Sequence, residues 1–116
     1  MPNKYTCSDG SKVTEATIKR NLSIAYRQHY FWEPKGSCEG CGINPGQGSA
    51  HIVPKARLKQ LGLTDYIWKP ISFFRSCHSC NTKAENINSA KELLNYDRIL
   101  QVTKELDYER YLKMTL

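Results

Sequence analysis

The sequence predicts a small α+β domain, and three features support this prediction. Two Cys-x-x-Cys motifs, Cys38–Cys41 and Cys77–Cys80, lie in the middle of the chain. Short stretches typical of strands lie beside these motifs, and segments with helical spacing precede and follow them. A chain of 116 residues is within the usual size range of one domain, so we expect residues 1–116 to fold as a single unit.

The N-terminal part is expected to contain an arm and a helix. Residues 1–14 are polar and carry the turn signal Asp9-Gly10-Ser11, which predicts an irregular arm. Over residues 15–31, apolar residues recur at helical spacing and basic residues occupy the other faces, which predicts a basic amphipathic helix. The helix either supports the core or contacts a polyanion, and its basic face alone does not decide between the two.

Residues 36–86 are expected to form the centre of the domain. A loop rich in glycine and proline precedes a short β-branched stretch around Ile52 and Val53. This pattern predicts a first strand, and His51 belongs to it.

The rest of the chain is predicted to be mainly helical. We expect a short helix over residues 55–61, a second strand over 71–74 and a helix that begins at about Asn81. The segment Ser89-Ala90-Lys91-Glu92 has the spacing of a capping box, and leucines and tyrosines follow at helical intervals. Residues 88–116 are therefore expected to form helices that support the centre.

The two Cys-x-x-Cys motifs are typical of a tetrahedral zinc site whose ligands would be Cys38, Cys41, Cys77 and Cys80. A small ββα unit buries too little apolar surface to be stable alone, and a structural Zn²⁺ would crosslink it. Redox use fits less well, because one motif would suffice and the expected βαβ context is absent. Cys7 lies far from both motifs and is expected to be a silent, unpaired thiol.

Charge indicates a polyanionic partner. The chain has 17 basic and 11 acidic residues, a formal charge of +6 and a pI near 9.1, which favours nucleic acid without identifying it. No apolar run reaches the length of a membrane span, and the first residues lack the apolar core of a signal peptide. We therefore expect no membrane partner and a cytoplasmic location, in a bacterial or phage-infected cell.

Three features follow one another in the chain: the first Cys-x-x-Cys motif, the stretch Ala50-His51-Ile52-Val53-Pro54 and the stretch Cys77-His78-Ser79-Cys80-Asn81. In this order they resemble the HNH branch of the His-Me finger (ββα-metal) endonucleases. The phage and bacterial members that contain a structural zinc site of four cysteines are the most similar. The resemblance implies a ββα-metal core in which His51 is the general base and Asn81 binds a catalytic Mg²⁺ or Mn²⁺ ion.

Two positions depart from the family pattern. Ala50 stands where many HNH enzymes have a second metal ligand, and Ser72 falls where the family has an asparagine that braces the histidine-bearing loop. A serine hydroxyl can replace only one amide hydrogen bond, so His51 would be held less firmly. Glu85 is a further candidate ligand, because it follows Asn81 by four residues and would share its helical face.

The resemblance implies a DNA endonuclease that hydrolyses phosphodiester bonds, nicks one strand per site and leaves 5′-phosphate and 3′-hydroxyl ends. Double-stranded DNA is the expected substrate, with RNA as an alternative. A monomer can nick, whereas a double-strand cut would need a homodimer or two binding events. The basic residues expected to contact phosphates are Lys55, Arg57, Lys59, Arg75 and Lys83. Ala50 and Ser72 favour an alternative, a weak or inactive zinc-stapled nucleic-acid-binding module, and a protein-interaction module is a third reading.

Overall fold

The computed structural model describes residues 3–32, 36–46 and 48–116, and it confirms the predicted α+β class. The described residues form two separate two-stranded antiparallel sheets and five α-helices. In chain order the elements are β1 (Lys4–Thr6), β2 (Lys12–Thr14), α1 (Glu15–Trp32), β3 (Gly48–His51), α2 (Lys55–Gln60), 3-10 helices at Thr64–Trp68 and Pro70–Ser72, β4 (Phe73–Ser76), α3 (His78–Glu85), a 3-10 helix at Ala90–Glu92, α4 (Tyr96–Leu106) and α5 (Tyr108–Thr115). None of the described helices is long and apolar enough to cross a membrane.

The N-terminal segment forms a hairpin, so the prediction of an irregular arm is wrong. β1 and β2 pair antiparallel with Tyr5 opposite Val13, and both side chains pack against the core beneath α1. Gly10 has a φ of 87° and supplies the backbone conformation that the turn requires. The Ser8 N–H donates to Asp65 (2.8 Å), which ties the turn to the body of the domain. Strands of three residues carry too few apolar positions for a recognisable pattern.

The two-stranded sheet of β3 and β4 separates two apolar cores. Ala50 pairs with Phe74 and His51 pairs with Phe73, and consecutive pairs project to opposite faces of the sheet. Ala50 and Phe74 pack with the cysteines of both motifs and with apolar residues of α3 and α4. Phe73 packs with α1, α2 and Ile67 in the other core. His51 therefore lies on the face of this sheet that is directed toward α1.

The two strands of this sheet are displaced from their predicted positions. β3 ends at His51, so Ile52 and Val53 follow the strand, and Ile71 lies in a 3-10 helix before β4. The Ile52 N–H still donates to the Ser72 carbonyl (2.8 Å), which extends the pairing by one hydrogen bond. Ile52 and Val53 are fully buried in a turn, so their β-branched character reflects burial and not strand geometry.

α3 begins three residues earlier than predicted, at His78. Cys77 occupies the N-cap position in extended conformation, and its carbonyl accepts a hydrogen bond from the Asn81 N–H (3.0 Å). The second Cys-x-x-Cys motif is thus the first turn of the helix. Cys80 and Asn81 are consecutive residues of this helix, and Cys80 is buried in the core whereas Asn81 is partly exposed.

The C-terminal region is helical, as predicted, but its first helix begins later. The Ser89 side chain makes no capping hydrogen bond, and the segment that follows it is a single 3-10 turn. α4 begins only at Tyr96, and a break at Asp107 separates it from α5. The Asp107 carboxylate caps α5 by accepting from the Arg110 N–H (3.2 Å).

Candidate metal centre and histidine pocket

The four cysteines of the two motifs form one cluster. The sulfur atoms of Cys38, Cys41, Cys77 and Cys80 all lie within 4.8 Å of one another, although the two motifs are far apart in sequence. Four thiolates bound to Zn²⁺ at about 2.3 Å would have sulfurs about 3.8 Å apart in a tetrahedral site. Small side-chain adjustments would reach that geometry, so the residues present fit the zinc ion that the motifs predict. Cys7 is buried and lies outside the cluster.

Backbone and side-chain N–H groups point at the sulfur atoms. The Gly40 N–H donates to Cys38 Sγ (3.3 Å), and Asn44 donates to Cys41 Sγ from its backbone (3.5 Å) and to Cys77 Sγ from its amide (3.7 Å). Donors of this kind stabilise thiolates and orient metal ligands. The first motif and its loop therefore supply both ligands and the groups that support them.

Without a bound cation, the two thiols of the second motif differ in pKa. The backbone N–H of Cys80 lowers the pKa of Cys77 to about 6, which favours its thiolate at neutral pH. Burial raises the pKa of Cys80 well above its usual range. Coordination to a divalent metal deprotonates a thiol outright, so a bound cation would remove this asymmetry.

Gly40 allows the two motifs to meet. A Cβ atom at this position would lie 2.9 Å from the Cys80 Cβ, 3.0 Å from its Sγ and 3.2 Å from the Leu93 side chain. The first distance is shorter than real Cβ atoms show and the other two are unusually tight, and the obstructing atoms belong to a packed core. Glycine is therefore required here for close approach and not for an unusual φ angle.

His51 is buried and held by a main-chain hydrogen bond. Its side chain lies at the end of β3, the residue is 8% exposed, and Nε2 lies 2.8 Å from the Ile67 carbonyl oxygen. A carbonyl only accepts, so Nε2 must carry the proton, and Nδ1 is the unprotonated nitrogen of the neutral ring. Burial lowers the pKa of His51 to about 4, with a smaller opposing effect from Ile67 and added repulsion from Lys55. The ring is therefore neutral at pH 7.

His51, Asn81 and Glu85 line the same cavity. This cavity, which we call the histidine pocket, has a volume of about 280 Å³. Asn81 and Glu85 are one turn apart on α3, and His51 faces them from β3. The remaining wall residues are Tyr26, Ser49, Pro54 and Lys55. The structure thus brings together four of the residues that the sequence singled out, because Lys55 was expected to contact phosphates.

Two polar residues of this pocket were not predicted from the sequence. The Ser49 hydroxyl donates to the Tyr26 hydroxyl (2.6 Å), which links β3 to α1 across the pocket. Ser49 precedes His51 by two residues, so the two-residue repeat of a strand would have placed both on one face. Tyr26 follows Leu22 by four residues and lies on the apolar face of the predicted helix. The two-residue repeat of the strand and the four-residue spacing of the helix were thus the sequence signals for Ser49 and Tyr26.

Ser72 supports the loop around His51 through its backbone. Its carbonyl accepts from the Ile52 N–H (2.8 Å), whereas its buried Oγ has no hydrogen-bond partner among the described residues. The hydroxyl therefore does not brace His51, and the Ile67 carbonyl does so instead. Ala50 is fully buried in the core on the opposite face of β3, where a carboxylate would be costly to bury.

The five basic residues predicted to contact phosphates lie in different environments. Arg57 forms ion pairs with Asp107 (2.9 Å) and Glu109 (3.2 Å), Lys59 pairs with Glu15 (2.8 Å), and Lys83 lies 3.7 Å from Glu92. Arg75 is 5% exposed, and its side chain crosses Gly36 and Gly46 so closely that a Cβ at either would collide with it. Lys55 is exposed at the rim of the histidine pocket.

No protein-family model, curated protein or solved structure matches this chain. The HNH resemblance therefore rests on the sequence motifs of residues 36–86 alone.

Proposed function

We propose that this protein is a metal-dependent DNA endonuclease of the HNH type with a ββα-metal core. The observation that carries the proposal is the histidine pocket: a neutral His51, held through Nε2, shares one cavity with Asn81 and Glu85. β3 supplies His51 and α3 supplies Asn81 and Glu85, and β3, β4 and α3 occur in the order of a ββα unit, with α2 and two 3-10 helices between the strands. The net charge of +6 suits a polyanionic substrate.

His51 can act as a general base because its ring is neutral at pH 7 and its Nδ1 is unprotonated. In the proposed reaction, Nδ1 takes a proton from a water molecule as its oxygen attacks the scissile phosphorus. The bond from phosphorus to the 3′-oxygen breaks, and that oxygen leaves as a hydroxyl after gaining a proton from solvent. The Ile67 carbonyl holds the ring in the tautomer that this step requires. The products are a 5′-phosphate and a 3′-hydroxyl end.

Asn81 and Glu85 provide oxygen donors of the kind that hard divalent cations prefer. Asn81 would hold Mg²⁺ or Mn²⁺ through its amide oxygen, and Glu85 is one helical turn away for a second contact. A bound cation of this kind stabilises negative charge on the phosphate oxygens and on the leaving oxygen. Lys55, exposed at the pocket rim, would hold the phosphate in place.

The cysteine cluster would have a structural role. A shell of four cysteines leaves no open coordination position, so its zinc would crosslink the two motifs and take no part in hydrolysis. Cys80 and Asn81 are adjacent in α3, so this crosslink would also fix the position of the proposed catalytic ligand.

A second candidate function is nucleic-acid binding without efficient cleavage. Ala50 faces the core and offers no ligand, and the Ser72 hydroxyl does not reach His51. Both observations favour weak binding of a catalytic cation or loose control of the base. The same basic scaffold would then bind DNA without hydrolysing it.

Plasmid nicking distinguishes the two functions. Zinc-loaded protein freed of other cations by gel filtration is incubated with supercoiled plasmid alone, with Mg²⁺ and with Mn²⁺. We expect nicking that requires an added cation and falls at least about 100-fold in His51→Ala, the lower range for loss of a general base. Added imidazole should restore part of the activity, because the substitution enlarges the histidine pocket.

Asn81→Ala should abolish cation-dependent nicking, whereas Ser79→Ala is its matched control. Ser79 is an exposed residue of the same helix and does not line the histidine pocket. Melting temperatures establish that each variant is folded. Nicking that survives His51→Ala would exclude the mechanism, and tight DNA binding without nicking by the wild type would favour the second function.

A further inference from the structure

A larger cavity adjoins the histidine pocket. Its volume is about 700 Å³, and Glu85 lines both cavities, so the two meet at this side chain. The α3 side of the larger cavity is formed by Thr82, Glu85 and Asn86, and its opposite wall comes from α5 and the residue before it. We call it the α5 cavity. A ligand in the histidine pocket that extends past Glu85 would enter it.

Cationic groups in the α5 cavity are of two kinds. Arg57 is already bound to Asp107 and Glu109 through two ion pairs. Lys113 is exposed and has no carboxylate within ion-pair distance among the described residues. Arg110 donates from Nη2 to the Glu85 carbonyl (3.1 Å), and its buried Nε has no hydrogen-bond partner in the described part of the chain.

Arg110 is thereby fixed at the end of α3. Its bond to the Glu85 main chain places a guanidinium beside the point where the two cavities meet. Three carboxylates and three cations line this cavity. Asp107 and Glu109 already share Arg57, and the third carboxylate, Glu85, also lines the histidine pocket, where the proposed catalytic cation would offset its charge. Lys113 and the guanidinium of Arg110, which both line the cavity, therefore remain for an anion.

We propose that the α5 cavity is a second phosphate subsite, in which Arg110 and Lys113 bind the phosphate next to the scissile one. This inference rests on the proposed function, because the occupant is the same polynucleotide strand. Glu85 lies on α3 and lines both cavities, so a strand that runs along α3 past Glu85 would bring the phosphate next to the scissile one to the α5 cavity.

The experiment compares substrates that have and lack a neighbouring phosphate. Bis(p-nitrophenyl) phosphate contains one phosphodiester, whereas plasmid DNA presents many in a row. We expect Lys113→Ala to raise the KM for plasmid about fivefold with kcat nearly unchanged, and to leave hydrolysis of the small diester at the wild-type rate. Lys12→Ala is the charge-matched control, because Lys12 is exposed in the N-terminal hairpin and lines neither cavity.

A binding measurement keeps this test independent of cleavage. Fluorescence anisotropy with a short DNA duplex over a series of NaCl concentrations, without added divalent cation, gives the salt dependence of Kd. Lys113→Ala should reduce the slope by about 0.9, the value of one phosphate contact, and Lys12→Ala should not. Arg110→Lys, which keeps the charge but loses the fork of donors, should weaken binding with a smaller change in slope.

The results separate the two proposals. Equal losses on plasmid and on the small diester would overturn the subsite, because Lys113 would then act through the histidine pocket or the fold. Equal slopes for Lys113→Ala, Lys12→Ala and the wild type would also overturn it. A wild type that binds DNA without cleaving it would end the nuclease proposal, whereas a reduced slope in Lys113→Ala alone would still support a phosphate site in the α5 cavity.

Discussion

Acid should destabilise this fold through His51, because the native ring resists protonation. Burial lowers its pKa to about 4, whereas the histidine of an unfolded chain has a pKa of about 6.5. The unfolded chain therefore binds a proton first as the pH falls, and native stability decreases from pH 6.5 down to about pH 4. Linkage between these two pKa values gives a loss of about 2 kcal/mol between pH 7 and pH 5.

The measurement is a difference between the wild type and His51→Gln. Glutamine does not titrate, and its amide can still donate to the Ile67 carbonyl. Urea unfolding of zinc-loaded protein at pH 7, 6 and 5 gives the free energy of unfolding of each protein. Loss of zinc in acid affects both proteins and cancels in the difference. A difference that stays constant within about 0.5 kcal/mol over this range would refute the reasoning.

Three further predictions concern stability and the metal centre. Gly40→Ala should destabilise zinc-loaded protein by about 1–3 kcal/mol in urea unfolding, because its Cβ would overlap packed atoms. The control Gly48→Ala should be nearly neutral, because its Cβ would have an ordinary contact at 3.9 Å. Asp107→Asn should cost about 1–3 kcal/mol, because a buried partner of Arg57 is lost, whereas Glu109→Gln, 70% exposed in its side chain, should cost less than about 0.5 kcal/mol. Chelation of zinc should lower the melting temperature and increase binding of an apolar dye, and readdition of zinc should reverse both.

The cysteine cluster could be predicted because its signal is local. Two residues between paired cysteines place both sulfurs on one turn, and two such turns make a four-sulfur cluster that the structure bears out. The sequence also identified His51, Asn81 and Glu85, which line one cavity. The spacing of Asn81 and Glu85 on a helix was sufficient for that pair.

Contacts made by the main chain could not be predicted in this way. The carbonyl that holds His51 belongs to Ile67, and no side-chain pattern indicates which carbonyl will face a distant ring. Arg75 was expected at the surface, yet it is buried because Gly36 and Gly46 leave room for its side chain. Such a space exists only after the loop has folded against β4.

The predicted strand boundaries were wrong for a related reason. Ile52 and Val53 are the residues most typical of a strand in this region, but they lie after the end of β3, where both are buried in the apolar cores. The register of β3 and β4 instead pairs Gly48 with Ser76, close to the second Cys-x-x-Cys motif. Long-range pairing outweighed local preference, as is usual for short strands.

The direct succession of Cys80 and Asn81 has a practical consequence for assays of metal dependence. A strong chelator would remove zinc from the cysteine cluster as well as a cation from the histidine pocket. Loss of zinc would displace Asn81, and loss of the other cation would leave Asn81 without the ion that it is proposed to bind. Inhibition by EDTA would thus be a property of two different ions, and activity would rise with zinc occupancy even though zinc performs no chemistry. Only readdition of one ion at a time to stripped protein can separate the requirement for a folded helix from the requirement for a Lewis acid.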